Sequence, residues 1–484
     1  MSLLLKLPLL LLIFTQKSIC TEDLDVIIIG GGASGIAAAT KLNKHGVNLI
    51  LLEAEPRLGG RVYSVPFGDA KVDLGAEWVH GEKGNIVNEM LKDTGLLHHH
   101  PDDKPYKIFP SNRDDVSGEF SRELLNLFLE LYDTNDPNAT ADETINDTFV
   151  RRYVKTIKEK YAKDKIKMHI ALKALPLFEK YVCSLEASPT WHEPSAISDH
   201  VECQEIPSHI GTEKDILQHW SIMKDFNTTG RVFTDKVVTR IEYDGTKAVV
   251  KGNDFKYEAK YVLFTPSLGV LKHDHQNLFE PPLSEQKVQA IKAHGFGAVA
   301  KVWMHFAEPW WPKNNFTDIT LSWTCEDRMT LAAEYPKGPR KNGQSWLNDF
   351  FSVIDEPANP NVLAAWFSGK FIPEIEKMSD EEIMDGVFYA LERFVGHLYK
   401  LQKPDKILRN NWYSNPHFRG TYSYQTVASR KMQPDAMKII AEPVKNLHFA
   451  GEATNFQHYS TVHGAIETGY REAELLRKAL IVKA

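Results

Sequence analysis

Leu24-Asp25-Val26-Ile27-Ile28-Ile29-Gly30-Gly31-Gly32-Ala33-Ser34-Gly35 is the stretch that decides the fold. Its first half is a nearly continuous β-branched run, the pattern of a parallel strand covered on both faces. Its second half sets Gly30, Gly32 and Gly35 in G-x-G-x-x-G order, directly after the strand and at the head of a helix, which is the context this motif requires. Gly30 permits the tight turn, Gly32 lets backbone N–H groups approach a pyrophosphate at the helix N-terminus, and Gly35 lets helix and strand pack closely. From Ala33 to Asn43, helix formers place Ile36, Ala39 and Leu42 at helical spacing, and Gly46 stands where the helix would end. Val47-Asn48-Leu49-Ile50-Leu51-Leu52 reads as a second strand ending at Glu53, roughly 20 residues past the first glycine, where a carboxylate accepts ribose hydroxyls. This complete βαβ unit predicts a dinucleotide site, and by itself does not choose between NAD and FAD.

The rest of the chain sets limits on what surrounds that unit. A length of 484 residues allows a cofactor domain interleaved with a substrate domain. Hydrophobic content of 43%, charged content of 25% and a mean hydropathy of −0.34 describe a globular protein without several membrane spans. A net charge of −7 with no Lys/Arg block argues against nucleic acid as the main partner. Lys6, the apolar run Leu7 to Phe14 and the small residues at Ser18-Ile19-Cys20 predict a signal peptide over 1–20, too short to span a bilayer, which takes about 20 apolar residues. With sequons at Asn138, Asn146, Asn227 and Asn315, it predicts a secreted glycoprotein. Once Cys20 leaves with the leader, Cys183 and Cys203 can close a short loop, with Cys325 then a buried free thiol. No CxxC or Cys/His cluster appears, so no metal is expected.

Patterning divides the mature chain into alternating segments. The cofactor domain takes 21–95, 213–295 and 409–484; the substrate domain takes 96–212 and 296–408. Within them, Lys236 to Ile241 and Tyr261 to Thr265 read as strands separated by a turn at Asp244-Gly245. Arg151 to Lys167 reads as a charged helix, Ala298 to Phe306 as an alternating strand, Asp380 to Tyr399 as a helix and His463 to Lys478 as the final helix.

The residues after Glu53 choose the cofactor. Glu53-Ala54-Glu55-Pro56-Arg57-Leu58-Gly59-Gly60-Arg61 resembles the second signature of the flavin-containing amine oxidase family. The resemblance implies backbone contact from Gly60 and neutralisation of the pyrophosphate by Arg57 and Arg61. Asp73-Leu74-Gly75-Ala76-Glu77-Trp78-Val79-His80-Gly81 is similar to the family's segment under the flavin ring, so Gly75, Ala76, Glu77 and Trp78 are expected to line the cofactor and His80 to face the amine. Phe449-Ala450-Gly451-Glu452-Ala453-Thr454, followed by Tyr459-Ser460-Thr461-Val462-His463-Gly464-Ala465, resembles the closing motif almost residue by residue. It implies that Gly451 and Glu452 bind the ribityl or phosphate region and that Thr461 and Val462, at a helix N-terminus, face the flavin, whose anionic reduced form that helix end would stabilise. Ala33, Ser34, Ala54, Val237, Thr265 and Trp412 complete the implied cofactor set.

Lys301 shares a strand face with Val299 and Trp303, and on sequence alone it is as readily a surface lysine as a buried one. The resemblance makes it the lysine that reaches flavin N5 through a water, with a pKa depressed by burial. The segment Trp412 to Tyr424 is most similar to animal polyamine oxidases of the spermine and acetylpolyamine type. Monoamine oxidases carry a flavin-bonded cysteine where this chain has Thr421, which implies non-covalent FAD. Of their paired aromatic cage only Tyr422 is kept, the other wall falling at Thr461, which implies polyamines as substrates. The chain departs from its relatives at Ile210-Gly211-Thr212-Glu213-Lys214, and Glu186, Glu202 and Glu205 are candidates for holding distal nitrogens.

The expected fold is therefore α/β, a Rossmann-like FAD-binding domain interleaved with an α+β substrate domain. The expected reaction has a neutral amine docked between Tyr422 and His80, hydride passing to flavin N5, the imine hydrolysing to aldehyde and amine, and O2 reduced to H2O2. Lys301, His80 and Tyr422 are the expected catalytic residues. A secreted L-amino-acid oxidase is the alternative, and an FAD-binding protein without turnover a second.

Overall fold

Leu24–Ile29 lies at the centre of an eight-stranded sheet, with Val26, Ile27 and Ile28 fully buried, as its β-branched run predicts. In this computed structural model, which describes residues 23–95, 97–99, 106–198, 208–210, 231–312, 318–356 and 358–482, the strand pairs in parallel with Leu49–Leu52 on one side and Lys256–Phe264 on the other. Lys256–Phe264 also pairs in parallel with Leu447–Phe449, so distant parts of the chain meet in one sheet. Those parallel strands end together, at Ile29, Leu52, Phe264 and Phe449, and the glycine-rich turns follow from their ends. That shared C-terminal edge is where open α/β sheets bind ligands.

The first helix, Ala33–Lys44, and the last, Val462–Val482, pack side by side against this sheet. Gly469 makes the crossing close: a Cβ there would come within 2.3 Å of the Ser34 carbonyl oxygen. The first turns of both helices thus open onto the same space above the strand ends.

A second, six-stranded sheet runs in the order Lys406–Arg409, Val299–His305, Val362–Ser368, Phe350–Asp355, Asp318–Ser322 and Tyr106–Pro110. The helix Asp380–Val395 packs its apolar face, including Ile383, Val387 and Phe394, into the core under this sheet. Four helices, Gly118–Asp133, Ile145–Lys160, Lys165–Lys173 and Leu175–Leu185, form a lobe around Phe128, Phe149, Tyr153 and Phe178. The two sheets are joined where Gly295–Gly297 pairs with Tyr422–Tyr424, which sets Tyr422 opposite Gly297 at the entrance to the Lys301 strand.

Several sequence expectations need correction. The turn at Asp244-Gly245 leads into a further strand, Ala248–Gly252, before Lys256–Phe264 returns antiparallel to it. The charged stretch 151–167 is two helices, because Tyr161 ends the first and Asp164 caps the second. Val299–His305 is buried through Met304 on both faces: Val302 and Met304 face the helix-covered core, while Trp303 packs against Phe67, Val72 and Leu74 of the hairpin Ser64–Phe67/Ala70–Asp73. Cys325 is exposed, at the first position of a helix capped by Thr324, and not the buried thiol expected. Cys183 is buried and, among the described residues, a free thiol pushed up to about 12 by desolvation; its expected partner Cys203 lies outside the described residues. So do Asn227, Asn315, Glu202, Glu205 and residues 1–22 with the expected signal peptide.

Candidate active site

The glycine-rich loop after Leu24–Ile29 is closed by a second glycine turn. Gly59 N–H donates to the Gly31 carbonyl at 2.8 Å, and Gly32 and Gly59 form an isolated bridge. Gly60, with φ +60°, faces Gly32 with no side chain between them. Gly35 packs against the strand end, where a Cβ would meet the Gly30 oxygen at 1.9 Å. The Glu53 carboxylate accepts from Gly31 N at 2.6 Å and from Glu55 N at 2.7 Å, which fixes it at the strand end, while burial raises its pKa.

These turns line one end of a cavity of about 1390 Å³. It exceeds the roughly 300–1,000 Å³ of ordinary small-molecule pockets, leaving room for a dinucleotide and a second molecule. Every residue expected to bind the cofactor lines it except Gly35 and Arg57. Gly35 serves helix–strand packing alone. Arg57, expected to neutralise a pyrophosphate, is outside the cavity lining: its guanidinium donates to the Gly60 carbonyl at 2.8 Å and the Leu58 carbonyl at 3.3 Å, and lies 3.8 Å over the Tyr63 ring, so it braces the Gly59-Gly60 turn.

The remaining charge at this end comes from Arg61 and from helix ends. Glu452, expected to bind the ribityl or phosphate region, lines the cavity, and its carboxylate accepts from Arg61 at 2.9 Å, Ser423 Oγ at 2.6 Å and Ser460 N at 3.0 Å. It thus orients Arg61, which also donates to the Thr421 carbonyl at 2.6 Å. Thr461 caps the last helix, its hydroxyl accepting from Gly464 N at 3.0 Å. The cavity therefore receives two helix N-termini, at Ala33-Ser34 and at Val462, each equivalent to about half a positive charge. A glycine cradle, one arginine and two positive helix ends fit an anionic pyrophosphate and a ring that becomes anionic on reduction.

Two indoles set the next wall. Trp303 Nε1 donates to the Asp73 carbonyl at 3.0 Å and Trp412 Nε1 to the Leu74 carbonyl at 2.9 Å, which fixes the chain entering Gly75. A Cβ on Gly75 would sit 1.8 Å from the Arg61 oxygen, so only glycine allows this approach. Glu77 then points at Lys301, forming a 2.5 Å ion pair with side chains 3% and 6% exposed. Sequence reading placed both residues at the site and missed that they pair; only the fold brings positions 77 and 301 together.

Farther along, the cavity is lined by tyrosines and one acid. Tyr422 donates its hydroxyl to the Ser184 carbonyl in the last turn of Leu175–Leu185, and burial raises its pKa so the phenol stays protonated. Glu186, the C-cap of that helix, accepts from Tyr132 OH at 2.6 Å, and desolvation pushes its carboxyl up to about 7. Tyr459, Tyr181 and Trp366 also line this end; sequence reading quoted Tyr459 within the closing motif without giving it a role, and missed Tyr181 on the helix Leu175–Leu185 and Trp366 on the strand Val362–Ser368, where no motif marks them. His80 lines the same cavity from its exposed side, its carbonyl held by Asn85 Nδ2 at 2.9 Å. The Thr421 hydroxyl accepts from Val299 N at 3.3 Å. Among the described residues no group of three His, Cys, Asp or Glu could hold a metal, and no helix is long and apolar enough to cross a membrane.

Known proteins resemble this chain in sequence and in fold. The family model for flavin-containing amine oxidoreductases matches residues 33–177 and 220–477. The peroxisomal N(1)-acetyl-spermine/spermidine oxidase of Bos taurus is 29% identical over 503 aligned residues, covering 93% of this chain and 94% of the relative. A probable polyamine oxidase of Arabidopsis thaliana is 27% identical, covering 94% and 98%. A solved putrescine oxidase, redesigned at its cofactor site, superposes with a TM-score of 0.67 over 94% of this chain and all of that one, at 18% identity, and shares the fold.

Proposed function

Because the chain belongs to the flavin-containing amine oxidoreductases, as a flavin-dependent amine oxidase with FAD as its cofactor, we propose that it oxidises a polyamine and holds that FAD non-covalently. Gly30, Gly32, Gly60 and Arg61 would hold the pyrophosphate, and Glu53 the ribose. Thr421 offers no thiol for a covalent link, and its hydroxyl is tied to the backbone. When bound, the flavin supplies a two-electron acceptor for the carbon next to an amine nitrogen and passes the electrons to O2, giving H2O2.

The chain's own residues bind and orient. The Tyr422 ring at the cavity wall is held by its bond to Ser184 and packs against the amine carbon chain. Lys301, fixed by Glu77, is the cation that orders a water beside the reacting carbon. The imine formed is hydrolysed to an aldehyde and a shorter amine.

The observation that carries the polyamine reading is the buried Tyr132–Glu186 pair at the C-terminus of Leu175–Leu185. An acid at the negative end of a helix, in the cavity that also holds Lys301 and Tyr422, suits a second, cationic nitrogen distant from the one oxidised. An amino-acid substrate needs a free arginine for its carboxylate. Of the three arginines lining the cavity among the described residues, Arg61 is paired with Glu452, Arg152 donates to the Leu131 and Thr134 carbonyls, and Arg419 stands 3.6 Å from Asp274 and is the one left to test as a carboxylate ligand.

A peroxide assay with product identification on spermine, spermidine, their acetylated forms and L-leucine tests the reading. Turnover of leucine alone would falsify it, and absence of flavin bleaching by any amine without O2 would point to a binding protein. The exposed sequon at Asn138 supports secretion as a glycoprotein, which a mass shift on glycosidase treatment checks.

A further inference from the structure

Exposed side chains among those lining the cavity mark where it opens. At the end lined by tyrosines they include Asp133, Thr134, Asn135 and Leu185. Asp133 and Leu185 are the immediate sequence neighbours of Tyr132 and Glu186, so this rim adjoins the Tyr132–Glu186 pair. An amine whose second nitrogen is held by that pair therefore presents its far end to the rim.

The segment that forms the rim is pinned to the helix Ile145–Lys160. Arg152 donates to the Leu131 carbonyl at 2.8 Å and the Thr134 carbonyl at 2.7 Å. Arg151 binds the carboxylates of Asp136 at 2.7 Å and Glu143 at 2.5 Å. Asp136, which also lines the cavity, accepts in turn from Asn138 N at 2.9 Å, and Glu143 accepts from Thr140 N at 2.8 Å. Asn138-Ala139-Thr140 is a sequon, and Asn138 and Thr140 are both exposed. Its acceptor atom, Asn138 Nδ2, stands 3.4 Å from the Asp136 carboxylate. A glycosidic bond to that nitrogen leaves one N–H, so the contact with Asp136 survives the modification. A glycan is bulky, and one rooted on a segment held by two arginines stays beside the opening.

We propose that Asn138 carries an N-linked glycan that covers the rim and sorts amines by the bulk of their far end, passing slender linear polyamines and excluding those with a bulky terminal group. The inference rests on passage through the secretory pathway and on amine oxidation as the reaction.

Thr140→Ala destroys the sequon and Thr140→Ser keeps it, while both retain the backbone N–H that Glu143 holds. Peptide mapping of FAD-loaded protein secreted from animal cells should find a glycan on Asn138 in wild type and Thr140→Ser, and none in Thr140→Ala. For spermine amidated at one end with a bulky acyl group, kcat/KM should rise about tenfold or more in Thr140→Ala and stay at the wild-type value in Thr140→Ser, with unmodified spermine unaffected in both. Quenching of flavin fluorescence by a nitroxide joined to a peptide should rise in Thr140→Ala, while quenching by the free nitroxide stays constant. A bare Asn138 in the secreted wild type, or equal responses of wild type and Thr140→Ala to the bulky amine and the bulky quencher, would overturn the proposal. If no amine is oxidised, the functional reading fails, while the two quenchers still decide whether a glycan covers the rim.

Discussion

Gly32 and Gly60 face each other at the cofactor end of the cavity, so closely that a Cβ on Gly60 would lie 3.1 Å from the Gly32 Cα. Gly60 also has φ +60°, where a side chain costs about 1–2 kcal/mol before any contact is counted. Gly60→Ala is therefore expected to fold and to purify with severalfold less flavin. The ratio of flavin to protein absorbance, read beside an unchanged circular dichroism spectrum, checks this.

Arg61 and Glu452 give a prediction that separates support from direct binding. If Glu452 serves to orient Arg61, removing it harms the protein without cofactor as well. Breaking a fully buried ion pair from one side costs on the order of 3–5 kcal/mol, and less here because Arg61 keeps part of its side chain in solvent. Glu452→Ala should thus lower the melting temperature of the apoprotein by several degrees, and excess FAD should not restore it. An unchanged apoprotein with a weaker FAD dissociation constant would mean that Glu452 meets the cofactor itself.

The cofactor half of this architecture was legible because its local signals agree. The run Leu24–Ile29, the glycines and Glu53 lie within one short βαβ unit, and Gly30 and Gly35 stand where a side chain would collide with Thr265 and with the Gly30 carbonyl. The substrate half was less legible, since its lining comes from side chains far apart in sequence. Glu77 and Lys301 are separated by 224 positions, and Tyr132 and Glu186 by 54. Arg57 shows the same limit: an arginine beside a glycine turn reads as a phosphate ligand, and only the fold shows that Tyr63 and two carbonyls also hold it against the turn.

Lys301→Met removes the buried cation and leaves Glu77 without its counter-charge. Flavin reduction by amine or reoxidation by O2 should slow tenfold or more, equivalent to about 1.4 kcal/mol in the barrier. Stopped-flow absorbance resolves the two half-reactions. Unchanged rates in both would remove Lys301 from the chemistry.

Glu186 links pH to both stability and recognition. Its carboxyl is raised from 4.5 to about 7 in the folded protein by burial, so the folded state holds this proton more tightly than the unfolded chain. Stability from this group is fully present below about pH 4.5, falls as pH rises towards 7, and then levels. Glu186→Gln, which keeps an acceptor for Tyr132, lacks that slope, so its melting temperature should gain on wild type as pH rises through this window. A bound cation acts in the opposite sense, because an ammonium nitrogen beside the carboxylate favours ionisation and expels the proton. Spermine binding near pH 6 should therefore release a proton, countable by calorimetry in two buffers of different ionisation enthalpy. Glu186→Gln should release about one proton fewer than wild type, and its KM for spermine should rise by roughly tenfold, the scale of a single charge-assisted contact, while that for a short monoamine stays constant. Equal KM changes for both amines would show that Glu186 shapes the cavity without reading a second nitrogen.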